Sequence, residues 1–195
     1  MDRAALEAEA LRIIERGEID PTVQLSRRHR WKPLALDITG DLGTVLIAVR
    51  GKRVNVAAWA VTYDLMRESP SLLRSSGLLR HREPHLPVRP SFVVSRRPAS
   101  SSSSTSFGGM WSAMWLLVAE AHTYEVRGER YPVADHGYIV AAGRGRRGPP
   151  ITVFDAVGRN LGILKTGPPG RVLRTPIRRT KRLPEGSWFN YAPRR

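Results

Sequence analysis

Apolar positions first recur at helical spacing near the N-terminus, where Leu6, Ala10, Ile13 and Ile14 form one stripe. Asp2 stands where it caps this helix, and Gly17 where it ends it, after about Arg16. The period then changes. Within residues 34–49, LALDI and TVLIAV read as two strands joined by the turn-like TGDLG, a hairpin. VNVAAWAVTYDLM (54–66) returns to helical spacing through Val54, Ala57, Ala58, Val61 and Leu65, so a helix is predicted, with a short second one over 70–80.

Periodicity fails over residues 81–106. Pro, Arg and Ser dominate this stretch, as in an extended linker or long exposed loop. Beyond it, MWSAMWLLVAEAHTY (110–124) is apolar on every side, which predicts a central core helix. Strand patterns follow: TYEVRGERYPV turning at Arg127-Gly128, then HGYIVAA, then ITVFDAV and LGIL around Gly158-Arg159-Asn160. From Pro168 the chain alternates Pro, Gly and Arg without a period.

These elements predict an α+β fold in one composite domain: an N-terminal helix, a central apolar helix, antiparallel hairpins and an extended basic C-terminal tail. Its parts are residues 1–80, the linker 81–106, the helix and hairpins of 107–167, and the tail 168–195. No internal repeat is present. No apolar run reaches the roughly 18–20 residues of a membrane-spanning helix. The acidic start MDRAALEAEALRIIERG lacks the basic-then-apolar order of a secretion signal. A cytoplasmic location is expected, or a nuclear or virion-associated one in a eukaryotic or viral setting.

Charge changes the picture most. Against 17 acids stand 32 bases, a net +15, and a polyanionic partner would relieve the resulting self-repulsion. Lysine occurs only at Lys32, Lys52, Lys165 and Lys181. Arginine supplies the rest, and its planar fork matches phosphate and stacks on bases. A GC-rich genome accounts equally well for that ratio, but not for the net charge. Cysteine is absent, which removes disulfides, thiolate nucleophiles and the usual structural zinc sites.

The tail concentrates the signal. Residues 157–195 hold ten bases and only Glu185, and they end in GSWFNYAPRR. Arg171, Arg174, Arg178, Arg179, Lys181 and Arg182 suit a phosphate backbone, with Trp188 and Tyr191 available to stack bases. Two smaller patches extend it: Arg27, Arg28 and Arg30 around His29 and Trp31, and Arg144, Arg146 and Arg147 in the Gly-rich GRGRRG. The competing reading is that these arginines are simply solvated while the aromatics anchor the tail. GRGRRG is not a nucleotide-hydrolysing loop, because no GK[ST] follows.

The histidines raise a hydrolase alternative. His122 lies near Glu120 and Glu125, and His136 adjoins Asp135, so a basic ribonuclease could use the two imidazoles as acid and base. Ordinary loop histidines are the competing reading. No catalytic, cofactor or metal signature is present. Trp111 and Trp115 are read as core, and the serine run 100–104 as linker. The expected function is therefore a non-enzymatic binder of RNA or single-stranded DNA. An acidic protein or a viral or ribonucleoprotein assembly is the alternative partner, and the sequence leaves the oligomeric state open.

Overall fold

The computed structural model describes residues 2–20, 22–23, 25–26, 30–50, 56–66, 70–81, 89–107, 109–145 and 148–166. Helix α1 (Arg3–Arg16) opens the chain. Its Asp2 side chain accepts from the Ala5 amide, and Gly17 ends it in the left-handed conformation at φ 74°. The capping predicted from sequence is present. Four strands follow: β1 (Trp31–Thr39), β2 (Leu42–Arg50), β3 (Val56–Asp64) and β4 (Ser71–His81). They form an antiparallel sheet in chain order, and Gly40 at φ 57° permits the two-residue turn between Thr39 and Leu42.

A short helix, α2 (Phe92–Ser95), precedes β5 (Ala99–Phe107) and β6 (Met110–Leu117). The hairpin of β7 (Thr123–Val126) and β8 (Glu129–Pro132) turns at Arg127 and Gly128, both at positive φ. Then come β9 (Tyr138–Arg144), β10 (Ile151–Phe154) and β11 (Asn160–Leu164). β5, β6 and β9 form a second sheet in that order, and a third runs β11-β10-β7-β8.

Packing arranges these as layers. One face of the first sheet (Val45, Ile47, Val49, Val61, Tyr63) meets Leu6, Ala10, Ile13 and Ile14 of α1. Its other face (Leu46, Ala48, Val56, Ala58) meets Met114, Leu116, Tyr138 and Val140 of the second sheet. The opposite face of that sheet, with Trp111, Trp115, Ile139 and Ala141, packs on Ile151, Val153, Leu161 and Leu164 of the third. Strands β6 and β9 of the second sheet therefore lie in the middle of the molecule and are apolar on both faces. The expected core role of Trp111 and Trp115 holds: they are 1% and 5% exposed.

That burial corrects the predicted α+β class. The described residues are mostly antiparallel sheet, and the predicted central helix over 110–124 is instead β6 with the connection to β7. A strand covered on both faces is apolar at every position, so it imitates an all-round apolar helix. The same holds for 54–66, where β3 alternates between α1 and the second sheet. The short helix expected at 70–80 is β4, and the serine run of the expected linker lies in β5, paired along β6. The predicted hairpins over 34–49, 123–132 and 151–164 are present.

Arg89 holds the 89–92 segment to the body. Its guanidinium donates to the carbonyls of Ala121 (2.6 Å), Leu117 (3.4 Å) and Val118. Glu120 completes the clamp by accepting from the Ser91 hydroxyl and the Phe92 amide. No helix among the described residues is long and apolar enough to cross a membrane.

Candidate functional site

Charge is distributed unevenly between the described body and the rest of the chain. The described residues hold sixteen Lys and Arg and fourteen Asp and Glu, a net +2. Thirteen of the fifteen excess charges therefore fall in the other segments. Of the residues predicted to contact nucleic acid, Arg30 and Arg144 are described. Arg27, Arg28, Arg146, Arg147, Arg171, Arg174, Arg178, Arg179, Lys181, Arg182, Trp188 and Tyr191 lie outside the described residues.

Arg30 stands at the entrance to β1, and the antiparallel register brings the end of β2 beside it. The Arg50 amide donates to the Arg30 carbonyl at 2.8 Å, and the Arg30 guanidinium donates to the Arg50 carbonyl at 3.3 Å. Arg50 in turn pairs with Val56, and Val56 with His81 at the end of β4. The same end of the sheet therefore receives the start of β1, the β2-to-β3 connection and the exit of β4. In sequence that connection carries Lys52 and Arg53, and Arg82 follows His81. Neither Arg30 nor Arg50 has a carboxylate within salt-bridge distance among the described residues.

Arg144 lies at the opposite end, about 26 Å away by the length of β1. Its guanidinium bridges Asp41 and Asp64, with Nε donating to Asp41 at 2.6 Å and Nη2 lying 3.2 Å from the Asp64 carboxylate. That bond to Arg144 holds the Asp41 carboxyl below its usual range. The structure thus separates Arg30 from Arg144 and leaves Arg144 already paired. Sequence reasoning missed Arg50, whose only signal is its place at the end of a hairpin strand.

The two histidines differ in their surroundings. His136 Nδ1 accepts from the Tyr138 amide at 3.0 Å, and the ring also hydrogen-bonds the Leu34 backbone. Burial, helped by the nearby charge of Lys32, lowers its pKa to about 4, so it is neutral at pH 7 with its lone pair in use. His122 is exposed, beside a backbone junction in which its amide donates to the Phe154 carbonyl. Among the described residues no group of three or more His, Asp or Glu side chains is placed to hold a metal ion.

No known protein family, curated protein or solved structure matches this chain.

Proposed function

We propose that the chain is a non-enzymatic nucleic-acid-binding protein for RNA or single-stranded DNA. The single observation that supports this most is the segregation of charge: a nearly balanced β body carries segments holding almost the whole excess of +15. Self-repulsion among cations is tolerable in the body and is relieved in the segments by phosphate. Arg30 and Arg50, with Arg27, Arg28, Lys52 and Arg53 adjoining in sequence, supply one contact region. Arg171, Arg174, Arg178, Arg179, Lys181 and Arg182 of the tail supply another, with Trp188 or Tyr191 stacking on bases. Arg144 belongs to neither, because two carboxylates hold it.

The test is binding of the full chain to labelled single-stranded RNA and duplex DNA over a salt series, with the nucleic acid run on a gel afterwards. Affinity should fall steeply with salt and the RNA should stay intact. Charge reversal at Arg30 and Arg50 together should flatten the logarithmic slope on a single strand by about 1.4, since each lost phosphate contact accounts for about 0.7. Replacing the six tail cations by Gln should remove most of the affinity. Absence of binding at physiological salt refutes the reading in favour of an acidic-protein or assembly partner. Shortened RNA refutes it in favour of a hydrolase.

A further inference from the structure

Two short connections present bare valines to solvent. Val157, in the turn between β10 and β11, is 88% exposed, and Val93 and Val94 of α2 are each 79% exposed. These are the three most exposed large apolar side chains among the described residues. Connections of this kind ordinarily carry Gly, Pro, Asn, Asp or Ser, so the valines are a departure from turn chemistry. Both connections leave the sheets at the same end. The Val118 amide donates to the Pro98 carbonyl at 3.1 Å and the Ala119 amide to the Pro90 carbonyl at 2.9 Å, which sets α2 against the exit of β6. The His122 amide donates to the Phe154 carbonyl at 2.9 Å, which brings the close of β10 to that same stretch of chain. From β11, a Cβ at Gly162 would meet Pro98 at 3.1 Å.

Hydrogen bonds fix both tips. The clamp of Arg89 and Glu120 holds α2. In the other turn Asp155 accepts from the amides of Val157 at 3.1 Å and Arg159 at 2.8 Å, and its own amide donates to the Arg159 carbonyl at 3.0 Å. A tip already fixed loses little conformational entropy on meeting a partner. Charge adds a second feature. Arg159 pairs with Asp155, Arg130 over the Phe154 ring pairs with Glu125, and Arg89 faces Glu120 and Asp135. Those seven groups leave a single negative charge. Arg96 and Arg97 follow α2 directly, without a carboxylate in salt-bridge distance among the described residues, and turn this end weakly positive. Arg96 stands at φ 53°, where glycine or asparagine ordinarily ends a helix.

Separated apolar tips with free cations beside them suit one kind of partner. A protein interface of standard size takes about 800 Å² of complementary surface from each side, and three valines on two connections do not make such a patch. A nucleic acid offers phosphate to the arginines but no apolar phase to the valines. The interfacial layer of a bilayer accepts separate tips and supplies phosphate next to them, and anionic lipid attracts a chain of net +15. We propose that this end of the molecule docks on an anionic lipid bilayer, with Val93, Val94 and Val157 among the headgroups and Arg96 and Arg97 against lipid phosphate. The inference stands apart from the nucleic-acid reading, which rests on other segments, and either survives failure of the other.

The chain has no cysteine, so one introduced thiol carries a polarity-sensitive fluorophore to one chosen place. Val94→Cys and Val157→Cys label the two tips of the full chain. Met66→Cys is the control, 72% exposed beside Arg144 where β6 begins and therefore at the other end of that strand. All three positions are exposed, so the variants should fold as the parent does. On vesicles of phosphatidylcholine and phosphatidylserine in equal parts, the labels at 94 and 157 should brighten and shift to the blue while the label at 66 stays unchanged. The response should need phosphatidylserine, and an equal one on phosphatidylcholine alone overturns the anionic assignment. In the unlabelled chain, serine at 93, 94 and 157 together should weaken vesicle binding about tenfold and leave oligonucleotide affinity unchanged. The proposal is overturned if the chain sediments with vesicles while both tip labels stay silent, which assigns binding to other basic segments, or if the label at 66 responds alike. It is also overturned if the tip labels respond to single-stranded RNA or to a lipid-free cell extract but not to vesicles, which gives the valines to a nucleic-acid or protein interface.

Discussion

The two ends of the first sheet use arginine in opposite ways. Where β1 turns into β2, Arg144 bridges Asp41 and Asp64 while Arg127 reaches Thr39, so each cation joins strands distant in sequence. Where β1 begins, Arg30 and Arg50 meet backbone to backbone, with no carboxylate on either among the described residues. A run of cations in a sequence is thus not yet a cationic surface. Whether an arginine holds the fold or remains available to a partner depends on what the strand register places across from it.

The largest expected effect concerns a third arrangement of arginine. Among the described residues Arg89 has no carboxylate in direct contact, and it donates to three backbone carbonyls. Part-burial disfavours its charge, and Asp135 and Glu120 nearby restore part of the balance. Arg89→Met removes a donor from each of those carbonyls, of which Val118 keeps the Ala121 amide, and should lower stability by roughly 3 kcal/mol, read by urea unfolding. A loss below about 0.5 kcal/mol, the range of ordinary surface substitutions, would remove the distinction between this arginine and Arg30.

The legible parts of the fold are those fixed locally. α1 shows its cap, stripe and terminating glycine within sixteen residues, and the hairpins show their turns at Gly40 and at Arg127-Gly128. The middle sheet was not legible, because its signal lies in neighbours far along the chain. Trp111, Trp115 and Ile139 face the third sheet while Met114, Leu116 and Tyr138 face the first, so alternation vanishes from the sequence although it governs the packing. The candidate site divides in the same way. Arg30 stands out as part of a basic run, but Arg50 becomes its neighbour only through register. Arg144 looks equally basic, yet its partner Asp41 is 103 residues away.

A pH dependence separates the two ends next. His136 packs near Lys32 and Leu34, on the side where β1 begins. In the unfolded chain an imidazole gains its proton as the pH falls through about 6.5, but in the folded chain only near 4. The unfolded state therefore binds more protons between those values. Stability from this group is full above 6.5, declines from there to about 4, and is level below. The shift corresponds to about 3 kcal/mol, which solvent screening of a part-exposed ring reduces to roughly 1–2 kcal/mol. His136→Gln, which can still accept from Tyr138, should flatten that part of the unfolding profile. An unchanged profile would mean that the ring protonates normally in the folded chain.

The smallest effects give the most direct contrast. Arg144→Ala leaves Asp41 and Asp64 facing one another without their shared cation, so its Tm should fall measurably. Because these groups are partly exposed, the gap from wild type should narrow in 1 M salt, where charges are screened within about 3 Å. Its oligonucleotide affinity should barely move. Arg30→Ala and Arg50→Ala should show the reverse: stability within about 0.5 kcal/mol of wild type, with a lower affinity and a shallower salt dependence. The crossing of the two readouts carries the inference, since a general loss of folding lowers both and a general loss of charge lowers only affinity. If Arg144→Ala weakens oligonucleotide binding as much as Arg30→Ala and leaves Tm alone, its carboxylate partners yield to phosphate. The two ends would then form one polyanion surface.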